Sequence, residues 1–540
     1  MENKRNMIVL TVLLNFFLFL SVYSQAPVFK THIPSDGGGT EGICVKIIPP
    51  PFQRFPGGSP VAVYVEGGTK GDGLNGTGLK LELEGFVEIY FNFPGSGHLE
   101  DASGGEYDLR GPECLKALRD VIKFASGELA DNNGKNLSDF LKKVDPDYKN
   151  VGLIGLSNGG NAAIAAAGMF GDQLSFLSWI VNYESPVGDG MPTCDAGSNG
   201  SSANPSVNPA YNTETGEFDL SLIAWDDTVS INKNHSFVNL CEMHGGLYFD
   251  VNKNGVVDEG TDFIPVPFVY QIGSDYKAFY SVRIMQEAVG RNLIPSTPPS
   301  HIPTLSQTED FWLYRNGENW IEQAVQKIPD LMFIVEASET DHAQSAPDHP
   351  HVLIQYQGFC DAGCRFVRLN PDRTYVENIL GFSAPDAADN DAFASFTHEN
   401  ITTGLQPPRT GGYPISVTVK AAACEAADRT YYNNTDYQTD EILSSVNECR
   451  TLPSAINLLQ NYPNPFNPAT SINFSIDNSS FVQLYVYNLL GEKVTTLAEA
   501  GFDAGVHLVR WQPRGLSTGT YIVRLQADKQ VLTRKVVYVR

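Results

Sequence analysis

The stretch Val151-Gly-Leu-Ile-Gly-Leu-Ser-Asn-Gly-Gly-Asn161 runs directly into Ala162-Ala-Ile-Ala-Ala-Ala-Gly168. An apolar, strand-like run meets a glycine-flanked serine and then an alanine-rich segment of high helix propensity. Gly155-Leu-Ser-Asn-Gly159 fits G-x-S-x-G, in which the serine sits on a strained strand-to-helix turn whose neighbours must be small. The following helix start presents a positive dipole end, and the Asn158 backbone N–H can stabilise a developing oxyanion. The five residues alone recur by chance and would suit a plain turn. The strand before and the helix after are what make Ser157 a candidate nucleophile.

Working outward, Val61–Val65, Phe86–Phe93, Phe176–Tyr183, Leu331–Val335 and Arg365–Leu369 are short, β-branched or aromatic, and bounded by Gly, Pro, Asn or Asp. They read as central strands. Between them, Pro112–Ala125 places Leu115, Leu118, Ile122 and Ala125 on one helix face. Strands alternating with helices predict a doubly wound, mostly parallel sheet covered on both faces. The alternation stops from about Gly188 to Pro265, where Asn, Ser, Gly and Asp dominate. This predicts a loop-rich insertion, held by Cys194 and Cys241. Helical segments return at Ser274–Gly290 and Phe311–Val325, so the whole insertion, about 188–330, is expected to form a cap.

Within that insertion, Phe249-Asp-Val-Asn-Lys-Asn-Gly-Val-Val-Asp-Glu-Gly260 has the D-x-N-x-N-G spacing of a calcium loop. Asp250, Asn252, Asn254 and Asp258 would offer side-chain oxygens and Val256 its carbonyl, with Gly255 at the bend. Thr261 stands where an EF-hand carries glutamate, and Glu259 or Asp262 could compensate. The expectation is a structural calcium over 250–262, with an Asx-rich turn without metal as the alternative. No cofactor is expected for catalysis.

The region from about Ile43 to Leu380 resembles the α/β hydrolases, on the strand–G155-L-S-N-G159–helix unit and on Val63-Tyr-Val-Glu-Gly-Gly-Thr69. The resemblance implies that the second segment is the oxyanion loop, donating from Gly68 or Thr69, with Glu66 where histidine is usual. It implies an acid after the late strand, at Asp341 with Glu336 and Glu339 as rivals. It also implies a histidine soon after Leu369, where the sequence has none. His398 keeps the order Ser, Asp, His and is the first choice of base, with His349 the rival. His342, His349 and His351 otherwise line the pocket or cap the following helix, and His98 belongs to the rim. The implied chemistry is acyl transfer through Ser157. Ester substrates, small or polymeric, fit better than peptides, since no propeller-length repeat precedes the catalytic region. Phe311-Trp-Leu-Tyr314 and Trp320 suit an apolar acyl group. A serine peptidase and a noncatalytic binding protein on the same scaffold remain the alternatives.

A formal charge of −25 over 540 residues repels nucleic acid and anionic membranes, and a nucleic-acid partner is excluded. Lys4 and Arg5 before the apolar run Met7–Leu20, with small residues near Ser24, read as an export signal over 1–24. Eight cysteines in an exported chain make disulfides the expectation. The hydrolase domain is placed at 25–450. After Leu452, alternating strands at Ile472–Ile476, Val482–Tyr487, Val506–Trp511, Gly519–Leu525 and Arg534–Arg540 predict a small all-β sandwich over 456–540. That tail resembles the C-terminal sorting domain of the type IX secretion system of Bacteroidetes, on Asn461–Pro468 (NYPNPFNP), Val486–Val494, Gly519–Val523 and the basic ending Lys535–Arg540. The resemblance implies a translocon partner and release to, or attachment at, the cell surface.

Overall fold

The computed structural model describes residues 27–336, 350–380, 415–434 and 456–539, apart from 69, 72, 77, 189–191, 200–207, 213–214, 232–242, 273–274, 459–460, 462–465, 467–469, 477, 503–504, 514 and 528–529. Eight strands form the central sheet: β1 (Phe29–Ile33), β2 (Ile43–Ile48), β3 (Ser59–Val65), β4 (Val87–Phe91), β5 (Pro146–Leu156), β6 (Leu177–Tyr183), β7 (Met332–Glu336) and β8 (Phe366–Leu369). Their order is β1-β2-β4-β3-β5-β6-β7-β8. β1 pairs antiparallel with β2, and β2 with β4; every later pair is parallel. The apolar runs follow from this, because parallel strands covered on both faces have no solvent side to alternate against. Every residue of β3, β4 and β7 is buried.

One face carries Val61, Val63, Leu153, Ile180 and Phe333 and is covered by α1 (Pro112–Ala125), α2 (Asn158–Phe170), α5 (Ile321–Lys327) and α6 (Pro350–Asp361). The other carries Ile154, Trp179, Val181 and Ile334 and packs against α8 (Ile415–Tyr432), with α7 (Arg373–Leu380) beside it. This is the mostly parallel sheet covered on both faces expected from the sequence, and α1 has the bounds its periodicity predicts. α8 lies beyond Leu380, where the sequence reading marked no element. Its buried Glu425 holds Arg429 Nε at 2.9 Å and accepts the Asp372 N–H at 2.7 Å, tying the helix to the turn after β8.

The insertion is less loop-like than expected. Ile223–Ile231 pairs with Met243–Phe249, and Phe268–Ile272 with Asp275–Phe279. These hairpins and α3 (Val282–Gly290) bury their own core around Tyr248, Phe249, Tyr280, Ile284 and Met285. Ser274–Gly290 is expected to be helical throughout, but Asp275–Phe279 within it is strand. Val282 is where the helix starts, capped by the Ser281 side chain, which accepts the Ile284 N–H at 3.2 Å. The second expected segment is α4 (Leu305–Arg315), a single turn at Gly317–Trp320, and α5.

No disulfide joins any two described cysteines. Cys114 is buried in the core on one face of the sheet and Cys424 on the other, which separates their thiols. Cys364 donates instead to the Leu331 carbonyl at 3.1 Å. Cys241 and Cys449 lie outside the described residues, as does the expected export signal. Among the described residues no helix is long and apolar enough to cross a membrane.

The tail folds as predicted into two antiparallel sheets, one of three strands and one of four, closed over Leu458, Phe474, Val482, Val523 and Val536. The sequence reading missed its strand Lys493–Phe502, none of whose residues is buried and which shows no clear apolar alternation.

Candidate active site

Ser157 stands between the end of β5 and the first residue of α2, with φ 51° and ψ −127°. A β-branch-free side chain in this region still costs on the order of 1–3 kcal/mol, and such strain persists only where the surroundings over-determine it. They do so here. The Ser157 N–H donates to the Tyr183 carbonyl of β6 at 3.1 Å, and its carbonyl accepts the Gly160 N–H at 2.9 Å. A Cβ on Gly159 would lie 2.0 Å from the Val65 carbonyl oxygen, so only glycine lets α2 start against the end of β3.

That contact brings the Glu66–Gly68 turn over the serine. A Cβ on Gly67 would lie 2.7 Å from the Ser157 Cβ and 2.8 Å from the Leu156 carbonyl oxygen. The Asn158 side-chain amide donates to the Gly68 carbonyl at 3.3 Å, linking the two predicted oxyanion donors, Asn158 and Gly68, in one contact. Gly68 itself has φ 71°, a left-handed value that favours glycine. Thr69 lies outside the described residues.

A narrow cleft opens beside this turn, lined by Leu109, Arg110, Asn158, Asn161, Phe268, Phe311, Trp312 and Arg315. One wall is the central sheet domain and the other the insertion. Phe311 stacks on Phe279 with centroids 3.9 Å apart, and the Trp312 indole N–H donates to the Tyr280 carbonyl at 2.8 Å. Two of the four predicted Phe311–Tyr314 positions therefore line the cleft. Trp320 instead packs its Cβ against Gly168 and donates to the Leu313 carbonyl at 2.7 Å. His98 is exposed at the start of a single helical turn and is not among the residues lining this cleft.

The proposed acid and base, Asp341, His398 and its rival His349, lie outside the described residues, with Glu339 and His342. Of their neighbours, Glu336 and His351 are described. Glu336 ends β7, in register with Tyr183. Its side chain faces Thr418 and Glu425 of α8, and burial pushes its carboxyl up to about 8. A carboxyl held protonated at neutral pH is poorly suited to stabilising an imidazolium. His351 is fully buried in the first turn of α6. Beside it, Gln355 accepts from Asn182 at 2.9 Å and donates to the Ser185 carbonyl at 3.0 Å, fixing the end of β6 to this helix.

Sequence reasoning missed the segment before α1. Leu109 and Arg110 both have left-handed backbones, φ 56° and 63°. Asp108 accepts the N–H groups of Gly111, Glu113 and Cys114 at 3.0, 2.7 and 3.2 Å, serving as the N-terminal acceptor of the helix. Arg315 of α4 donates to the Leu109 carbonyl at 2.8 Å and also to that of Asp108. The only sequence signal was Asp108 shortly before Pro112, a helix-start pattern.

The 250–262 loop is drawn together by its own donors. Asp250 accepts the N–H groups of Asn254 and Gly255 at 3.1 and 2.9 Å, and Asp258 accepts both the Asn252 and Asn254 amides at 2.8 and 2.6 Å. Asp262 accepts the N–H groups of Val251 and Asp258, each at 2.9 Å. Gly255 has φ 77°, as the bend requires. Among the described residues no three His, Cys, Asp or Glu side chains are grouped to hold a metal ion. The donor set is nonetheless all hard oxygen, which suits calcium chemically.

Residues 460–539 match the family model of the secretion system C-terminal sorting domain. The tail is thus the segment that the type IX machinery reads, and the chain is one exported to the cell surface or the extracellular space. No curated protein matches the chain. Solved structures with similar folds include a thermostable esterase from Pseudomonas putida, 12% identical over 79% of this chain and 89% of that one, with a TM-score of 0.33. Carboxyl esterase 2 from Tuber melanosporum is 11% identical over 75% of this chain and 89% of that one, at 0.31. Dipeptidyl peptidase 4 from Porphyromonas gingivalis is 11% identical over 64% of this chain, at 0.29, and the chain spans only 31% of its length. Likeness at this level fixes neither activity nor substrate.

Proposed function

We propose that the exported chain is a serine hydrolase that cleaves carboxylic esters through an acyl-enzyme on Ser157. The observation that carries this reading is the strained Ser157 turn with Gly67 packed against the serine Cβ and the first N–H groups of α2 beside it. Ser157 Oγ attacks the acyl carbonyl and passes its proton to a histidine base, His398 or its rival His349, oriented by Asp341. The N–H groups of Asn158 and Gly68 receive the developing oxyanion. The protonated histidine then gives its proton to the departing alkoxide, and water repeats the sequence to release the acid. Phe268, Phe311 and Trp312 in the cleft favour an apolar or aromatic acyl group.

The deciding experiment is labelling by a fluorophosphonate probe, compared with Ser157→Ala, followed by turnover of p-nitrophenyl esters against peptide anilides. Labelling that is absent, or that survives Ser157→Ala, refutes the nucleophile. Turnover of anilides alone favours a peptidase of the same fold, and labelling without turnover a binding protein. His398→Ala and His349→Ala in the same assay choose the base.

A separate proposal concerns the insertion: Asp250, Asn252, Asn254 and Asp258, with the Val256 carbonyl, take a calcium ion that stiffens the loop and has no part in the chemistry. The two asparagine amides already converge on Asp258, and turning them over would present their oxygens.

A further inference from the structure

We infer that Arg110 is a positioning residue for the oxyanion site, acting through the Glu66–Gly68 turn; this rests on the reading of Ser157 as nucleophile. The guanidinium is buried, and a single nitrogen, Nη2, donates to both the Glu66 carbonyl at 2.8 Å and the Gly67 carbonyl at 3.0 Å. In a planar trans peptide the C=O and the following N–H point in opposite directions. Two carbonyls turned toward Arg110 therefore turn the N–H groups of Gly67 and Gly68 away from it. Gly67 lies against the Ser157 Cβ, which places these two N–H groups on the peptide units nearest the nucleophile.

Three further features support the assignment. Arg110 Nε and Nη1 are buried without hydrogen-bond partners, so the residue is not placed there to satisfy its own donors. Its guanidinium lies 3.8 Å above the Phe93 ring and 3.9 Å from Glu66 Oε1, which hold the plane and offset the buried charge. The backbone that delivers it is doubly strained at Leu109 and Arg110 and is clamped by Arg315 from the insertion. Glu66, which stands where the resemblance leads one to expect histidine, is thereby explained: it is the counter-charge to Arg110. A fixed cation behind the two peptides also polarises them, strengthening their N–H groups as donors when negative charge develops in front.

The test compares wild type, Arg110→Lys, Arg110→Ala and Ser157→Ala on p-nitrophenyl acetate, with melting temperatures measured alongside. Removing an oxyanion donor typically costs 10²–10³ in kcat, so Arg110→Ala is expected to lose about 100-fold and Arg110→Lys about tenfold. KM should change by less than about threefold, since the contact acts on the transition state. Added guanidinium ion should restore part of the Arg110→Ala rate, which a merely structural role would not show. If Arg110→Ala does not fold, Arg110→Lys carries the test. A wild-type kcat in a folded Arg110 variant, or a raised KM with kcat preserved, overturns the proposal while Ser157→Ala inactivity leaves the nucleophile standing. Turnover by Ser157→Ala instead removes the nucleophile, and the Arg110 assignment with it.

Discussion

Gly67→Ala tests the geometry of the site without removing any chemical group. The new Cβ would stand 2.7 Å from the Ser157 Cβ, whereas ordinary contact begins at 3.4 Å, so the turn must retreat by about 0.7 Å. Neither neighbour can yield, because Ser157 is fixed by backbone hydrogen bonds on both sides and the second contact, at 2.8 Å, is the Leu156 carbonyl oxygen in β5. A misplacement of about 1 Å in a catalytic site can cost 10²-fold, so kcat/KM for a p-nitrophenyl ester should fall by roughly 30- to 100-fold. Overpacking of this kind costs about 1–3 kcal/mol of stability, a shift of a few degrees in melting temperature. Gly68→Ala is the control: its Cβ would meet nothing within 4 Å, although φ 71° makes it strained. It should therefore show backbone strain of about 1–2 kcal/mol with a smaller loss of rate. Steady-state kinetics on both variants, with thermal melts, decide the matter. Gly67→Ala with kcat/KM within threefold of wild type would refute the packing of this turn against the serine.

Glu336→Gln should raise stability at neutral and higher pH. With its carboxyl at about 8 in the fold against an ordinary 4.5, the native state holds the proton more tightly, so stability falls as pH rises from about 4.5 to 8. At pH 7 keeping this proton costs about 3 kcal/mol of stability relative to low pH, and the variant should melt several degrees above wild type at pH 8 but not at pH 4; parallel pH profiles would count against it. Chelation should lower the melting temperature, and calcium restore it, in wild type but not in Asp250→Asn; a ligand at about 100 times its Kd stabilises by about 2.7 kcal/mol, and an unmoved melt removes the ion. Asp108→Ala should cost about 1–2 kcal/mol by denaturant titration through loss of the α1 acceptor, and should reduce kcat as well because Arg110 is carried on the same turn.

Much of the fold was legible because its signals are local. The strand runs, the Pro112–Ala125 helix and the glycine-flanked serine each announce themselves within a few residues, and β5 and α2 flank Ser157 as read. The errors fall where periodicity is silent or shared. Asp275–Phe279 is too short to distinguish strand from helix, and Lys493–Phe502 lacks a clear apolar alternation because none of its residues is buried. The cysteine count suggested bridges, but parity says nothing about distance. Cys114 and Cys424 are separated by the sheet itself.

By itself the sequence determined the alternation of strands and helices, the serine at the elbow, the Gly-rich turn after β3 and the sorting tail, all of them short-range patterns of side-chain type. Only the tertiary structure decided what stands behind the oxyanion turn. Because β4 lies outside β3 in the sheet, the chain after β4 must return across the strand ends, carrying Phe93 and Arg110 back to Glu66 and Gly67. That contact joins residues more than 40 positions apart and is held by an arginine from an insertion roughly 200 positions further on. Local periodicity fixes which face of an element is apolar, but it carries no information about which distant backbone that element will meet.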